Sequence, residues 1–192
     1  AAAQPAAPQD WRHVQMDAAT GVVRLPAGLG IDLGGIGKGW TADQVAQDLA
    51  PWGAALVDAG GDIRSTGAPG GEPWPVAVQD PFDESRDLLV INLAGGAMAT
   101  SSVGRRRWEL HGQPMHHLID PRTGGPAKSD LHTVTVLAPT AVEAEIAAKV
   151  ALLLGRAAGR RYLEQRGLSG VLAGVDRQWE ILGDLTFVGP EA

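Results

Sequence analysis

The sequence predicts an α+β (mixed α/β) fold in which helices pack on a twisted, largely antiparallel sheet. Stretches with strand-like alternation outnumber those with helical spacing. Several are joined by turn-length gaps, at residues 18–21, at Gly112 and at residues 176–178, which favour hairpins over parallel crossovers. One helix also marks its own start, because Thr140 and Glu143 have the spacing of a capping box.

Taken in order, residues 1–10 are alanine, proline and glutamine and read as a flexible tail or linker. Residues 11–192 read as one domain, long enough to bury a core. Residues 11–17 alternate as a strand, and residues 22–25 return as its hairpin partner. A helix from the glycine-dense turn to about Ala50 places Trp40, Val45 and Leu49 on its apolar stripe, with Asp43, Gln44, Gln47 and Asp48 outward. Short strands follow at residues 54–57, 74–79, 88–93, 108–110 and 115–119. Residues 97–102 read only as a bend after Gly95 and Gly96. A β-branched strand covers 132–138, and the capped helix runs to about Leu154. Gly155 interrupts it before a second helical segment to about Arg166, and residues 171–175 and 179–182 form a terminal hairpin.

The chain carries a formal net charge of -6, which argues against a broad nucleic-acid footprint. It has no cysteine, so disulfides, thiolate catalysis and sulfur-ligated metals are excluded. No apolar run approaches the length of a transmembrane helix, and no signal peptide is visible.

The chemistry concentrates first in Gly30-Ile31-Asp32-Leu33-Gly34-Gly35-Ile36-Gly37-Lys38-Gly39-Trp40. Glycines at a strand-to-helix junction tolerate positive φ and let backbone amides approach a ligand. A helix start with an adjacent lysine suits phosphate. The spacing matches neither a Walker motif nor a dinucleotide fingerprint. Further on, His116-His117 precede Asp120 and the rigid turn Pro121-Arg122-Thr123-Gly124. Two consecutive strand residues face opposite ways, so one histidine addresses a given pocket, and a histidine accepts a hydroxyl proton near neutral pH.

Four ordered blocks resemble one family: Asp32 to Gly39 with Asp43, Ala59-Gly60-Gly61-Asp62-Ile63, Ala99-Thr100-Ser101, and His116 to Gly124. They resemble the FAD:protein FMN transferases related to the thiamine biosynthesis lipoprotein ApbE. The resemblance implies an ApbE-like fold, movement of FMN from FAD to a Ser or Thr hydroxyl of an acceptor protein, a magnesium ion, and a periplasmic or extracytoplasmic setting. It also implies that the family's usual N-terminal portion has no counterpart here. By resemblance, Lys38, Gly39, Asp43, Gly61, Asp62 and Thr100 bind the flavin nucleotide, with Arg122 as a phosphate contact. His117 is implied as the base that activates the acceptor, with Asp120 orienting its surroundings.

The implied metal site joins the carbonyl of Gly37 to two helix side chains, which fall here at Glu145 and Lys149. The family carries aspartate and threonine at those two positions. A longer carboxylate fits octahedral magnesium poorly, and a protonated lysine offers it no lone pair. Glu145 and Lys149 also have the i, i+4 spacing of an intrahelical ion pair. The site is therefore expected to bind magnesium weakly or not at all, with Lys149 acting as an internal cation. Two functions follow as expectations: a divergent flavin transferase or FAD-hydrolysing enzyme, and a weakened or inactive FAD-binding or partner-binding module.

Overall fold

The structure, a computed structural model, describes residues 11–185. The tail expected at residues 1–10 lies outside the described residues. Trp11–His13 form one turn of 3-10 helix instead of the start of a strand, and the first hairpin pairs β1 (Gln15–Asp17) with β2 (Val22–Arg24). Helix α1 (Gly37–Leu49) ends in a 3-10 turn that contains Pro51. Strands β3 (Leu56–Asp58) and β4 (Ile63–Ser65) are joined by a tight turn, followed by the hairpin β5 (Trp74–Gln79) and β6 (Asp87–Leu93). Next come β7 (Gly96–Ser102), the hairpin β8 (Arg107–Leu110) and β9 (Gln113–His116), and the short pair β10 (Ile119–Asp120) and β11 (Gly125–Pro126). The chain closes with β12 (Leu131–Ala138), α2 (Ala141–Leu154), α3 (Arg156–Gln165), β13 (Ser169–Gly174) and β14 (Trp179–Leu182).

Six strands form the main sheet in the order β14-β13-β12-β7-β4-β3, and every neighbouring pair is antiparallel. The expected α+β architecture is therefore the observed one. Helix α2 lies across β7 and β12, where its Ala144, Ala147, Ala148 and Ala151 meet Ala97, Ala99, Val134 and Val136. The opposite face buries Ile63, Met98 and Leu137 against Val76, Val78, Ile91 and Leu93 of the β5–β6 hairpin. The alternation of Val136 and Leu137 between these two layers follows from the two-residue period of a strand. Thr140 caps α2 as its spacing predicts, accepting the Glu143 N–H at 3.2 Å.

Two expectations are corrected. Residues 97–102 belong to a central strand, β7, which pairs with both β12 and β4. Its small residues mute the alternation signal, and they let α2 approach the sheet closely. Helix α1 also turns the face opposite to the expected one toward the core. Trp40, Val45 and Leu49 are 58%, 40% and 42% exposed, while Gly39, Ala42, Asp43 and Ala46 are buried. The reason is the close crossing of α1 and α2: a methyl group on Gly39 would stand 2.6 Å from the Ala141 carbonyl oxygen. Only small residues fit that contact, and bulk on α1 is displaced outward.

Candidate active site

None of Gly34, Gly35, Gly37 and Gly39 takes a positive φ, contrary to expectation. Asp32 shapes the turn by accepting the Gly34 N–H at 2.7 Å. The glycines here provide room, with Gly35 facing Lys149 Nζ at a distance a methyl group would reduce to 2.6 Å. Positive φ occurs instead at Gly60 (69°) and Gly61 (92°), which bend the β3–β4 turn. Asp58 accepts the Gly61 N–H at 2.6 Å, and the Ala59 N–H donates to the Asp62 carbonyl at 2.9 Å. That turn aims the Asp62 side chain back at Lys38.

The start of α1 is not the open amide cradle expected for phosphate. The Gly37 N–H donates to the Leu33 carbonyl at 2.8 Å, and the Gly39 N–H donates to Glu145 Oε2 at 2.9 Å. A buried carboxylate thus occupies the positive end of the helix, a favourable position for it. Glu145 Oε1 lies 3.6 Å from Lys149 Nζ, and Lys38 Nζ lies 2.8 Å from Asp62 Oδ2. Lys38 is thus the charge partner of a carboxylate whose side chain is only 1% exposed. Burial pushes the Asp62 carboxyl above the usual carboxylate value, and Lys38 opposes that shift.

These two pairs border a cavity of about 640 Å³. Its walls include Gly61, Thr100 and His117 among the predicted residues, together with Arg105, Arg106, Arg107, His132 and Thr135. Thr100 and Thr135 face each other across β7 and β12, with their hydroxyl oxygens 2.8 Å apart. The two histidines diverge, although the strand expected over residues 115–119 is broken: β9 ends at His116, and His117 lies in the bend before β10. His116 is buried, with Nδ1 accepting the Leu118 N–H at 3.3 Å and Nε2 donating to the Ala127 carbonyl at 3.0 Å, which fixes the ring within the fold. His117 is exposed at the cavity wall. Partial desolvation lowers its pKa below the ordinary value of 6.5, and Arg106 adds repulsion of the protonated form.

Several predicted residues stand outside the cavity lining. Asp43 accepts the Ala141 and Val142 amides at 2.8 and 3.0 Å and pairs with Arg64, which fastens α1 to the start of α2. Asp120 and Arg122 form a two-pronged pair at 2.9 and 2.8 Å, and Arg122 also donates to the Leu153 carbonyl at 3.1 Å. That guanidinium ties the turn to the end of α2, so it does not line the cavity. Gly37 also lies outside the lining, and its carbonyl accepts the Thr41 hydroxyl at 2.8 Å. Conversely, the Arg105–Arg107 run and His132 were not among the predicted residues. The three adjacent arginines were the available signal, whereas His132 carries none beyond its position at a strand start. Arg106 adopts a positive φ of 50°, uncommon outside glycine, as the run rounds the cavity rim.

Residues 1–172 match the ApbE family. The chain belongs to the ApbE family. It is 37% identical to the FAD:protein FMN transferase of Escherichia coli (strain K12) over 143 residues, covering 72% of this chain and 41% of that protein. It is 34% identical to the FAD:protein FMN transferase of Treponema pallidum (strain Nichols) over 164 residues, covering 76% and 45%. Among solved structures, the ApbE protein of Thermotoga maritima superposes with a TM-score of 0.80 at 29% identity, over 92% of this chain and 59% of that one. The flavin transferase ApbE of Vibrio cholerae gives 0.73 at 27% identity, over 92% and 57%. This ApbE-family chain therefore spans less than half the length of these curated relatives.

The magnesium ion implied by the resemblance does not fit the residues present. Both oxygens of Glu145 face partners within the fold, the Gly39 amide and the Lys149 ammonium. The Gly37 carbonyl faces Thr41. Among the described residues no group of three or more His, Asp or Glu side chains is arranged to hold a metal. An ammonium beside the one remaining carboxylate repels a dication.

Proposed function

We propose that this chain takes part in the transfer of FMN from FAD to a Ser or Thr hydroxyl of an acceptor protein. The observation that carries the reading is the convergence of Lys38, Lys149 and His117 on one cavity. Two ammonium groups beneath a glycine turn suit the diphosphate of FAD, whose negative charge they offset. His117 stands in the same wall with a lowered pKa, so it is an unprotonated base at neutral pH.

The acceptor oxygen attacks the phosphorus of the FMN half, and its proton passes to His117. A phosphate ester to the acceptor forms, the phosphoanhydride bond breaks, and AMP leaves with the bonding electrons. Water in place of the acceptor yields free FMN and AMP by the same path.

The test incubates the chain with FAD and an acceptor protein, following covalent flavin by mass spectrometry and AMP by chromatography. His117→Ala is expected to lower turnover by about 10²–10⁴-fold while FAD affinity is kept. The base must be neutral, so activity falls as pH drops through its pKa. The acid limb of kcat/KM for the unsubstituted chain is therefore expected below the ordinary histidine value of 6.5. Undiminished turnover in His117→Ala removes the histidine from this role. FAD bound without covalent flavin or AMP favours a binding module instead.

A further inference from the structure

We infer that the ammonium of Lys149 is the built-in cation of this site, so that a diphosphate-bearing ligand binds without a divalent metal. The inference rests on the flavin reading only in taking the ligand to carry a diphosphate. Lys149 sits on the third turn of α2, with its Nζ packed on Gly35 so closely that any side chain there would displace it. Glu145, whose side chain is 5% exposed, holds the ammonium in place at 3.6 Å. Glu145 is itself anchored by the Gly39 amide, 106 residues away in sequence. The carboxylate is thus fixed from the opposite side and keeps Lys149 pointed at the glycine turn.

An ammonium has three N–H donors, and a separation of 3.6 Å is too long for a hydrogen bond to Glu145. Its donors remain available to a phosphate oxygen in the cavity that Lys149 lines. Lys38 reaches the same cavity from α1, positioned by Asp62. Two lysines on separate helices, each oriented by a buried carboxylate, present two positive groups to a ligand with two phosphates. A dication entering between them meets like charge, because each carboxylate already has a lysine ammonium beside it.

Isothermal titration of ADP and of FAD into the full chain, in EDTA and in excess magnesium, tests this. Wild-type affinity is expected to be the same in both buffers to within about twofold, and Lys149→Gln to weaken it by about tenfold or more, the scale of one charge-assisted contact. Lys149→Thr with Glu145→Asp is expected to bind about tenfold tighter with magnesium than in EDTA, since the competing charge is gone. Thermal melts verify that the variants fold, and the wild-type comparison needs no variant.

A wild type that binds about tenfold tighter with magnesium overturns the inference. So does Lys149→Gln with unchanged affinity, or saturable magnesium binding to the wild type without nucleotide. Binding of neither ligand in either buffer overturns it together with the flavin reading. Metal-free binding of FAD without transfer to any acceptor supports the inference and counts against the transferase alone.

Discussion

Asp62 shows how the site is held under tension at a single residue. Its side chain is 1% exposed, and burial raises its folded-state pKa above 3.8 while Lys38 pulls it back. The folded state therefore holds this proton more tightly than the unfolded chain does. The resulting stability is fully present below 3.8 and is lost as pH rises through the folded-state pKa. Asp62→Asn removes that titration. The Tm of the wild type, measured relative to Asp62→Asn, is expected to fall as pH rises from about 4 to 7. Melting temperatures that run parallel over that range, or a relative gain by the wild type, contradict the assignment.

At the scale of the element, α1 is governed by its contact with α2 rather than by its own polarity. Asp43 is a buried acid that serves the first amides of another helix, and Ala42 and Ala46 let the two helices meet. Asp43→Ala strands those amides and the nearby Arg64, with an expected cost of about 2–3 kcal/mol, as for hydrogen bonds to a charged group. Ala46→Leu overfills the contact and is expected to cost about 1–3 kcal/mol. Leu49→Ala, on the exposed face, is expected to change stability by less than about 0.5 kcal/mol. Urea denaturation of the three variants ranks them directly. A larger loss from Leu49→Ala than from Ala46→Leu would restore the face read from sequence.

The whole molecule is a sheet covered on both sides, by helices on one and by the β5–β6 hairpin on the other. The cavity depends on that arrangement, because its residues come from α1, α2, the sheet, the hairpin and the Arg105–Arg107 rim. Leu137 on the hairpin side and Leu152 on the helix side are both fully buried. Leu137→Ala and Leu152→Ala are each expected to lower stability by about 2–5 kcal/mol within one cooperative transition. Two resolved transitions in circular dichroism would mean that the layers unfold separately.

The sequence by itself determined the features that local chemistry specifies. Thr140 caps α2 through the Glu143 N–H, Gly155 ends it, and the turns near residues 18–21, 112 and 176–178 close hairpins. Each depends on residues a few positions apart, so the pattern and the structure coincide. The tertiary structure alone decided which face of α1 is buried, that the muted 96–102 stretch is a central strand, and that Arg122 serves α2. It alone brought Glu145 to the Gly39 amide, which turned an expected phosphate cradle into a carboxylate anchor. The physical reason is range. Backbone hydrogen bonds within a turn are encoded by neighbours, whereas burial, close helix crossing and ion pairing depend on residues brought together only by the completed sheet.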